Sequence, residues 1–231
     1  MARPPAVICL VTDRRRLAAP GAASVVARAC LVAQVRHAVD AGVDLVQVRE
    51  RDLEAGDLAA LVSDLVAVTR ATRTRLLVND RIDVALACGA DGVHLRGDSI
   101  PIAEARRLAP VGFLVGRSVH GVDEAMAAAG ADYLIAGTVF TSASKPADAK
   151  RLGLAGLRSI AAVVDLPVLA IGGMAGDRIG HVAEAGAAGL AAIGLFMSSH
   201  PGAEVAGCRA VELRQIVKNA RSRFDRPKTS P

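Results

Sequence analysis

Eight apolar runs of strand length recur along this chain, each separated from the next by a longer stretch. They cover residues 7–12, 45–48, 76–78, 92–95, 113–118, 133–137, 168–171 and 189–193. Between them lie amphipathic segments over 32–41, 53–68, 102–108, 122–129, 154–163 and 178–185. Continuous apolar runs of this length mark strands buried on both faces. Strands that alternate with helices build parallel βαβ units. Eight such units in 231 residues predict a single-domain α/β fold, a (β/α)8 TIM barrel. An open doubly wound sheet fits less well, because no GxGxxG follows the first run. One phrase repeats before strands: Ala-Gly-Val-Asp at 41–44, Cys-Gly-Ala-Asp at 88–91, Ala-Gly-Ala-Asp at 129–132 and Ala-Gly-Ala-Ala-Gly at 185–189. There glycine ends a helix in left-handed geometry, and small residues turn the chain into the bottom of the barrel. These are features of stability and carry no chemistry.

Aromatic residues make up only 2% of a chain that is 52% hydrophobic, so Ala, Val, Leu and Ile must fill the core. No run approaches the roughly 18 uninterrupted apolar residues of a membrane span. Residues 6–11 are too short for a signal sequence and read as the first strand. Cys9, Cys30, Cys88 and Cys208 are scattered without metal-like spacing, as free thiols of a cytoplasmic protein are. The formal charge of +5 is concentrated at Arg14-Arg15-Arg16 and near the C-terminus. Without aromatic stacking platforms or a recognition motif, nucleic acid is not the expected partner. A frayed basic tail over 220–231, outside a barrel of 1–219, and a basic rim facing an anionic small molecule account for the charge. The sequence is compatible with a homo-oligomer.

Parallel barrels place ligands at the C-terminal ends of their strands, and several of these runs end in polar groups. The third stops at Asn79-Asp80, an amide and a carboxylate that either face a ligand or cap the helix-compatible stretch that follows. The second ends Gln47-Val48-Arg49-Glu50-Arg51, and alternation puts Gln47, Arg49 and Arg51 on one side. Two guanidiniums and an amide at a barrel mouth would grip a phosphate or diphosphate. The alternative is a solvated cluster with Glu50 as its internal counterion. The fourth run contains His94, read as a buried, satisfied histidine, and leads to Asp98-Ser99. Neighbouring parallel strands lie about 5 Å apart, so Asp98 is expected near Asp80, and two carboxylates beside phosphate-gripping cations suggest Mg²⁺ bridging a diphosphate. Ser118 and His120 end the fifth run; His120 is either a general acid or base or a helix cap. Residues 14–29 and 141–153 break the spacing and are candidate lids on the same face. The second lid carries Ser142, Ser144 and Lys145, suited to closing over an anion. Gly172-Gly173 and Ile193-Gly194 end the last two runs, where this fold builds its standard phosphate site.

Five motifs, in order, resemble the thiamine phosphate synthase and thiazole tautomerase superfamily: Gln-Val-Arg-Glu-Arg at 47–51, Asn-Asp-Arg-Ile-Asp-Val-Ala at 79–85, Gly-Ala-Asp-Gly-Val-His-Leu at 89–95, Ala-Asp-Tyr at 131–133 and Ala-Ile-Gly-Gly at 170–173. The resemblance spans about residues 7–198. Synthases of that superfamily join hydroxymethylpyrimidine diphosphate to thiazole phosphate by departure of pyrophosphate and capture of a pyrimidine cation. The resemblance therefore implies a transferase that uses Mg²⁺. It implies Gln47 and Arg49 near the pyrimidine and diphosphate, Asn79 and Asp80 on diphosphate and metal, Ser118 near the pyrimidine, and Gly173 with the eighth-strand loop on the thiazole phosphate. Four departures stand out. Arg51 replaces a Lys; Ser99 stands at the second metal-binding Asp, with Asp98 one place earlier; Ser142-Ala-Ser144-Lys145 replaces Thr-x-Thr-Lys; and Gly194 replaces a Ser. The second departure also makes the chain look like the tautomerase branch, a metal-free isomerase in which a histidine matching His120 moves a proton. A catalytically silent barrel that binds thiazole or thiamine phosphates is the third reading.

Overall fold

The computed structural model describes residues 5–19, 21, 23–141, 151–197 and 206–225. Eight parallel strands close into a barrel in sequence order, β1 pairing with both β2 and β8. The strands are β1 Val7–Val11, β2 Leu45–Val48, β3 Arg75–Asn79, β4 Gly92–Leu95, β5 Leu114–Val119, β6 Tyr133–Gly137, β7 Val168–Ile171 and β8 Gly189–Ala192. Helices follow them in turn: α1 Ser24–Asp40, α2 Ala55–Thr69, α3 Ile82–Cys88, α4 Ile102–Leu108, α5 Val122–Met126, α6 Gly153–Val163, α7 Ile179–Glu184 and α8 Ala206–Phe224. This is the (β/α)8 barrel that the alternation predicts.

Strand alternation divides the apolar residues into two cores. Cys9, Val11, Leu45, Leu77, Tyr133, Ile135, Leu169 and Ala191 fill the barrel, and a larger shell packs helices against strands. Tyr133 is the only tyrosine and the largest of the interior group. It fits because residue 116 opposite is glycine, where a Cβ would come within 2.2 Å of its ring. Burial pushes the Cys9 thiol up to about 12, so it lines the interior as an inert apolar group.

The repeated phrase has a specific bottom-face role. Gly42, Gly89, Gly130 and Gly186 all adopt positive φ, as glycine readily does. The aspartates of the first three copies each bolt down the start of the preceding strand. Asp44 accepts the Ile8 N–H at 2.7 Å, Asp91 that of Leu76 at 2.8 Å and Asp132 that of Val115 at 2.7 Å. Each carboxylate also takes a guanidinium: Arg221 on Asp44, Arg75 on Asp91 and Arg106 on Asp132.

Three expectations need correction. The tail does not begin at residue 220, because α8 continues to Phe224 and buries Ala220 and Phe224. Arg221 donates to the Ala6 and Gly42 carbonyls at 2.9 and 2.8 Å, so this turn is sewn to the bottom face. The described parts of residues 14–29 are not a free lid: α1 starts at Ser24, and Arg14, in a 3-10 turn over Arg14–Arg16, is buried and ion-paired. The helix-compatible stretch after Asp80 is α3, but no side-chain hydrogen bond caps its start. Among the described residues no helix is long and apolar enough to cross a membrane.

Candidate active site

Apart from Tyr133 at the start of β6, the buried polar side chains of the interior lie toward the C-terminal ends of the strands. Gln47 and Asn79 are both buried, and Gln47 Nε2 donates to Asn79 Oδ1 at 2.9 Å. The two amides hold each other still and leave Gln47 Oε1 and Asn79 Nδ2 without a described partner. On the next strands His94 is buried between Tyr133 Oη at 3.0 Å and Ser118 Oγ at 2.8 Å. Burial, reinforced by the nearby Arg117 charge, pushes the imidazole down to about 3. The ring is therefore neutral, with one nitrogen donating and the other accepting, and it fixes Ser118 against the tyrosine. Burial raises the Tyr133 hydroxyl above its ordinary range, so it stays protonated.

Past the strand ends the site becomes charged. Asp80 adopts φ 66°, a left-handed conformation that aspartate tolerates better than most residues. Its backbone N–H is held by the His94 carbonyl at 2.9 Å. Ser99 Oγ donates to Asp80 Oδ1 and accepts from the Arg96 N–H at 2.7 Å. Asp98 does not join Asp80 as expected. Its carboxylate turns outward onto Arg96, whose guanidinium also reaches Asp80 Oδ2 at 3.5 Å. The sequence offset of one residue has a plain effect: Ser99 faces Asp80 and Asp98 faces solvent.

Arg49 and Arg51 border an open recess of about 310 Å³ with Asp13, Arg15, Glu50 and Asp52. Among the described residues neither Arg49 nor Arg51 is ion-paired, and Glu50 is not their counterion. It is buried and belongs to Arg14, whose Nη1 lies 2.9 Å away. Desolvation, and then the Arg51 charge, lower the affinity of Arg49 for its proton.

Opposite, Gly172 and Gly173 adopt φ values of 102° and 61° where the β6 and β7 loops touch. A Cβ at Gly173 would stand 2.3 Å from the Thr141 carbonyl oxygen. Arg178 closes this loop by donating to the Gly173 carbonyl at 2.7 Å and lying 5.1 Å over the Phe140 ring. The β8 loop continues through Ile193 into a 3-10 turn at Gly194, and Arg16 Nη2 lies 3.9 Å from where a Gly194 Cβ would be. His120 does not cap α5 with its ring. Its Nδ1 meets the Gly137 carbonyl at 2.5 Å, and its backbone N–H donates to Glu124 at 2.9 Å. Ser142, Ser144 and Lys145 lie outside the described residues.

The model of the thiamine monophosphate synthase family matches residues 9–196. The chain belongs to the thiamine monophosphate synthase family. It is 40% identical over 191 residues to the thiamine-phosphate synthase of Methanoregula boonei, covering 82% of this chain and 87% of that one. It is 42% identical over 185 residues to the thiamine-phosphate synthase of Anaeromyxobacter dehalogenans, covering 79% and 83%. The thiamine phosphate pyrophosphorylase structure from Pyrococcus furiosus aligns with a TM-score of 0.75 at 35% identity, covering 94% of this chain and 98% of that one.

For this thiamine monophosphate synthase family member, sequence reasoning missed the Tyr133–His94–Ser118 chain, Arg96 as the group between two carboxylates, and the placement of Arg15 and Arg16. Only the first carried a signal: a histidine at an interior position of a buried strand needs partners, and alternation names Ser118 and Tyr133 on the following strands. The donor set near Asp80 suits a hard cation. Among the described residues no cluster of three His, Cys, Asp or Glu forms a cage. Mg²⁺ needs none, because one or two carboxylates with substrate phosphates suffice.

Proposed function

We propose that this chain is a thiamine-phosphate synthase, a transferase that condenses hydroxymethylpyrimidine diphosphate with thiazole phosphate to give thiamine phosphate and pyrophosphate. The observation that carries the reading is the pair of guanidiniums, Arg49 and Arg51, without an ion pair among the described residues, at the rim of a barrel that also holds the Gln47–Asn79 amide pair. Departure of pyrophosphate builds charge on the leaving group, so the barrier falls with positive charge held ready there. Arginine suits this task because its fork matches phosphate oxygens in bidentate fashion. Gln47, Asn79 and Ser118 orient the pyrimidine by amide and hydroxyl hydrogen bonds below the reacting carbon. Ser142, Ser144 and Lys145 are assigned to the same diphosphate from the sequence.

Mg²⁺, when bound, neutralises part of the diphosphate charge. Asp80 and Ser99 are the oxygen donors that would hold it, with Asp98 outside them on Arg96. The thiazole phosphate takes the backbone N–H groups of Gly172, Gly173, Ile193 and Gly194, with Arg16 as the nearby cation. The thiazole nitrogen attacks with its own lone pair, so the bond-forming step needs no base, in keeping with a neutral His94. The free thiols at Cys9, Cys30 and Cys88 support a reducing, cytoplasmic setting. One observation favours a thiazole tautomerase instead: His120 is exposed at the mouth and, among the described residues, its ring is anchored through Nδ1.

Purified protein given both substrates should release pyrophosphate and form thiamine phosphate with Mg²⁺, and should stop on addition of EDTA. Isomerisation of a thiazole carboxylate phosphate, lost in His120→Ala and without pyrophosphate release, would transfer the assignment to the tautomerase.

A further inference from the structure

The recess beside Arg49 and Arg51 contains a third guanidinium, Arg15, from the other side of the β1–β2 seam. Its placement follows from a network the proposed chemistry does not use. Glu50 is almost fully buried and accepts four hydrogen bonds: Thr12 Oγ1 at 2.6 Å, the Arg14 backbone N–H at 3.1 and 3.2 Å to its two oxygens, and Arg14 Nη1 at 2.9 Å. Arg14 then grips Asp52 with both terminal nitrogens at 2.8 and 2.7 Å. Thr12 Oγ1 also accepts the Arg49 backbone N–H at 2.9 Å, so the same carboxylate steadies the backbone of Arg49. A buried carboxylate with this many donors is a fixed post, because releasing any one donor strands charge in a dry environment. The post docks the Arg14–Arg16 turn against the end of β2.

With the turn docked, Arg15 has only a distant counterion among the described residues. Its Nε is 3.8 Å from Asp13 and its side chain is largely exposed. Glu50 and Asp52, the other acids at the recess, are engaged by Arg14. Three guanidiniums thus face one open recess in which two of the three acids, Glu50 and Asp52, are neutralised by Arg14 and only Asp13 faces Arg15, an arrangement that an added polyanion relieves.

We infer that Arg15 is a third guanidinium of the diphosphate site, carried there by the Arg14 turn, and that Glu50 is the positioning residue that docks the turn. The inference rests on the synthase reading above, in which Arg49 and Arg51 meet the diphosphate. Pre-docking spares the ligand the cost of ordering a loop, which is how a rigid site gains affinity.

The experiment is calorimetric titration of the full chain with pyrophosphate and Mg²⁺, alongside steady-state kinetics. Arg15→Gln should weaken pyrophosphate about tenfold and raise KM for the pyrimidine diphosphate, with KM for thiazole phosphate and the unfolding temperature unchanged. Glu50→Gln should weaken it at least as much. The double variant should be no weaker than Glu50→Gln, because an undocked turn no longer presents Arg15. Arg73→Gln, on the opposite face between α2 and β3, should leave affinity within twofold. Unchanged affinity and KM in Arg15→Gln overturn the assignment of Arg15, whether or not Glu50→Gln folds. Full additivity in the double variant overturns the docking role of Glu50. Absence of pyrophosphate binding by the wild-type chain would instead remove the diphosphate reading on which both stand.

Discussion

The two ends of this barrel use the same residue types to opposite effect. At the bottom, Asp44, Asp91 and Asp132 each take a strand N–H and a guanidinium, so each of these three carboxylates is satisfied within the chain. At the top, Arg49 and Arg51 have no ion-pair partner among the described residues, Arg15 has a distant one, and Asp80 shares Arg96 with Asp98. The lesson is a division of labour. Charges satisfied within the chain register the strands, and charges left over are the ones we propose meet the ligand.

That contrast can be broken from below. Asp91→Ala removes the acceptor of the Leu76 N–H and the partner of Arg75, and should cost about 1–2 kcal/mol, since solvent reaches the carboxylate in part. Thermal unfolding should show a midpoint about 3–8 °C lower, with kcat/KM within twofold. Asp91→Asn keeps an acceptor and should lose less; an equal loss would make the ion pair, not the strand anchor, the important contact. From above, Ser118→Ala should lower kcat/KM by about tenfold, with little change in unfolding temperature, because His94 keeps its bond to Tyr133.

A pH series sharpens the boundary between the ends. His94 sits at about 3 when folded, against an ordinary 6.5. The unfolded chain therefore takes up the proton first. Stability is complete above about pH 6.5 and declines as pH falls toward 3. His94→Gln should flatten the slope between pH 6.5 and 5 in denaturant titrations; an unchanged slope would show that other groups set it. The smallest effect belongs to Arg107→Ala, which breaks an exposed pair with Glu104 on α4. It should shift the midpoint by no more than about 1–2 °C and leave activity untouched.

How much of this was legible in the sequence follows the range of the interactions. Bounds of β2, β4, β6 and β7 coincide with their apolar runs because strands buried on both faces are written without interruption. The end of the barrel was not legible: α8 is basic and polar along its last turns, and the bonds of Arg221 across the bottom face, with the burial of Ala220 and Phe224, show that it is structure. The Gln47–Asn79 pair was half legible, since each motif was visible but their contact spans two strands. Asp98 was misplaced because adjacency in sequence says nothing of which way a turn directs its side chains. The Glu50 network joins residues 36 and 38 positions apart, and composition gives no hint that Glu50 serves Arg14 rather than its neighbours.

The most direct measurement is Asp80→Ala, assayed for Mg²⁺-dependent thiamine phosphate formation and for thermal unfolding in the same preparation. The account predicts a loss of roughly 10²–10³ in kcat/KM, as for removal of a group that stabilises developing charge, with an unfolding midpoint within a few degrees of wild type. Full activity in a folded Asp80→Ala protein would contradict it, because the top of the barrel would then not depend on the carboxylate that sets it apart from the bottom.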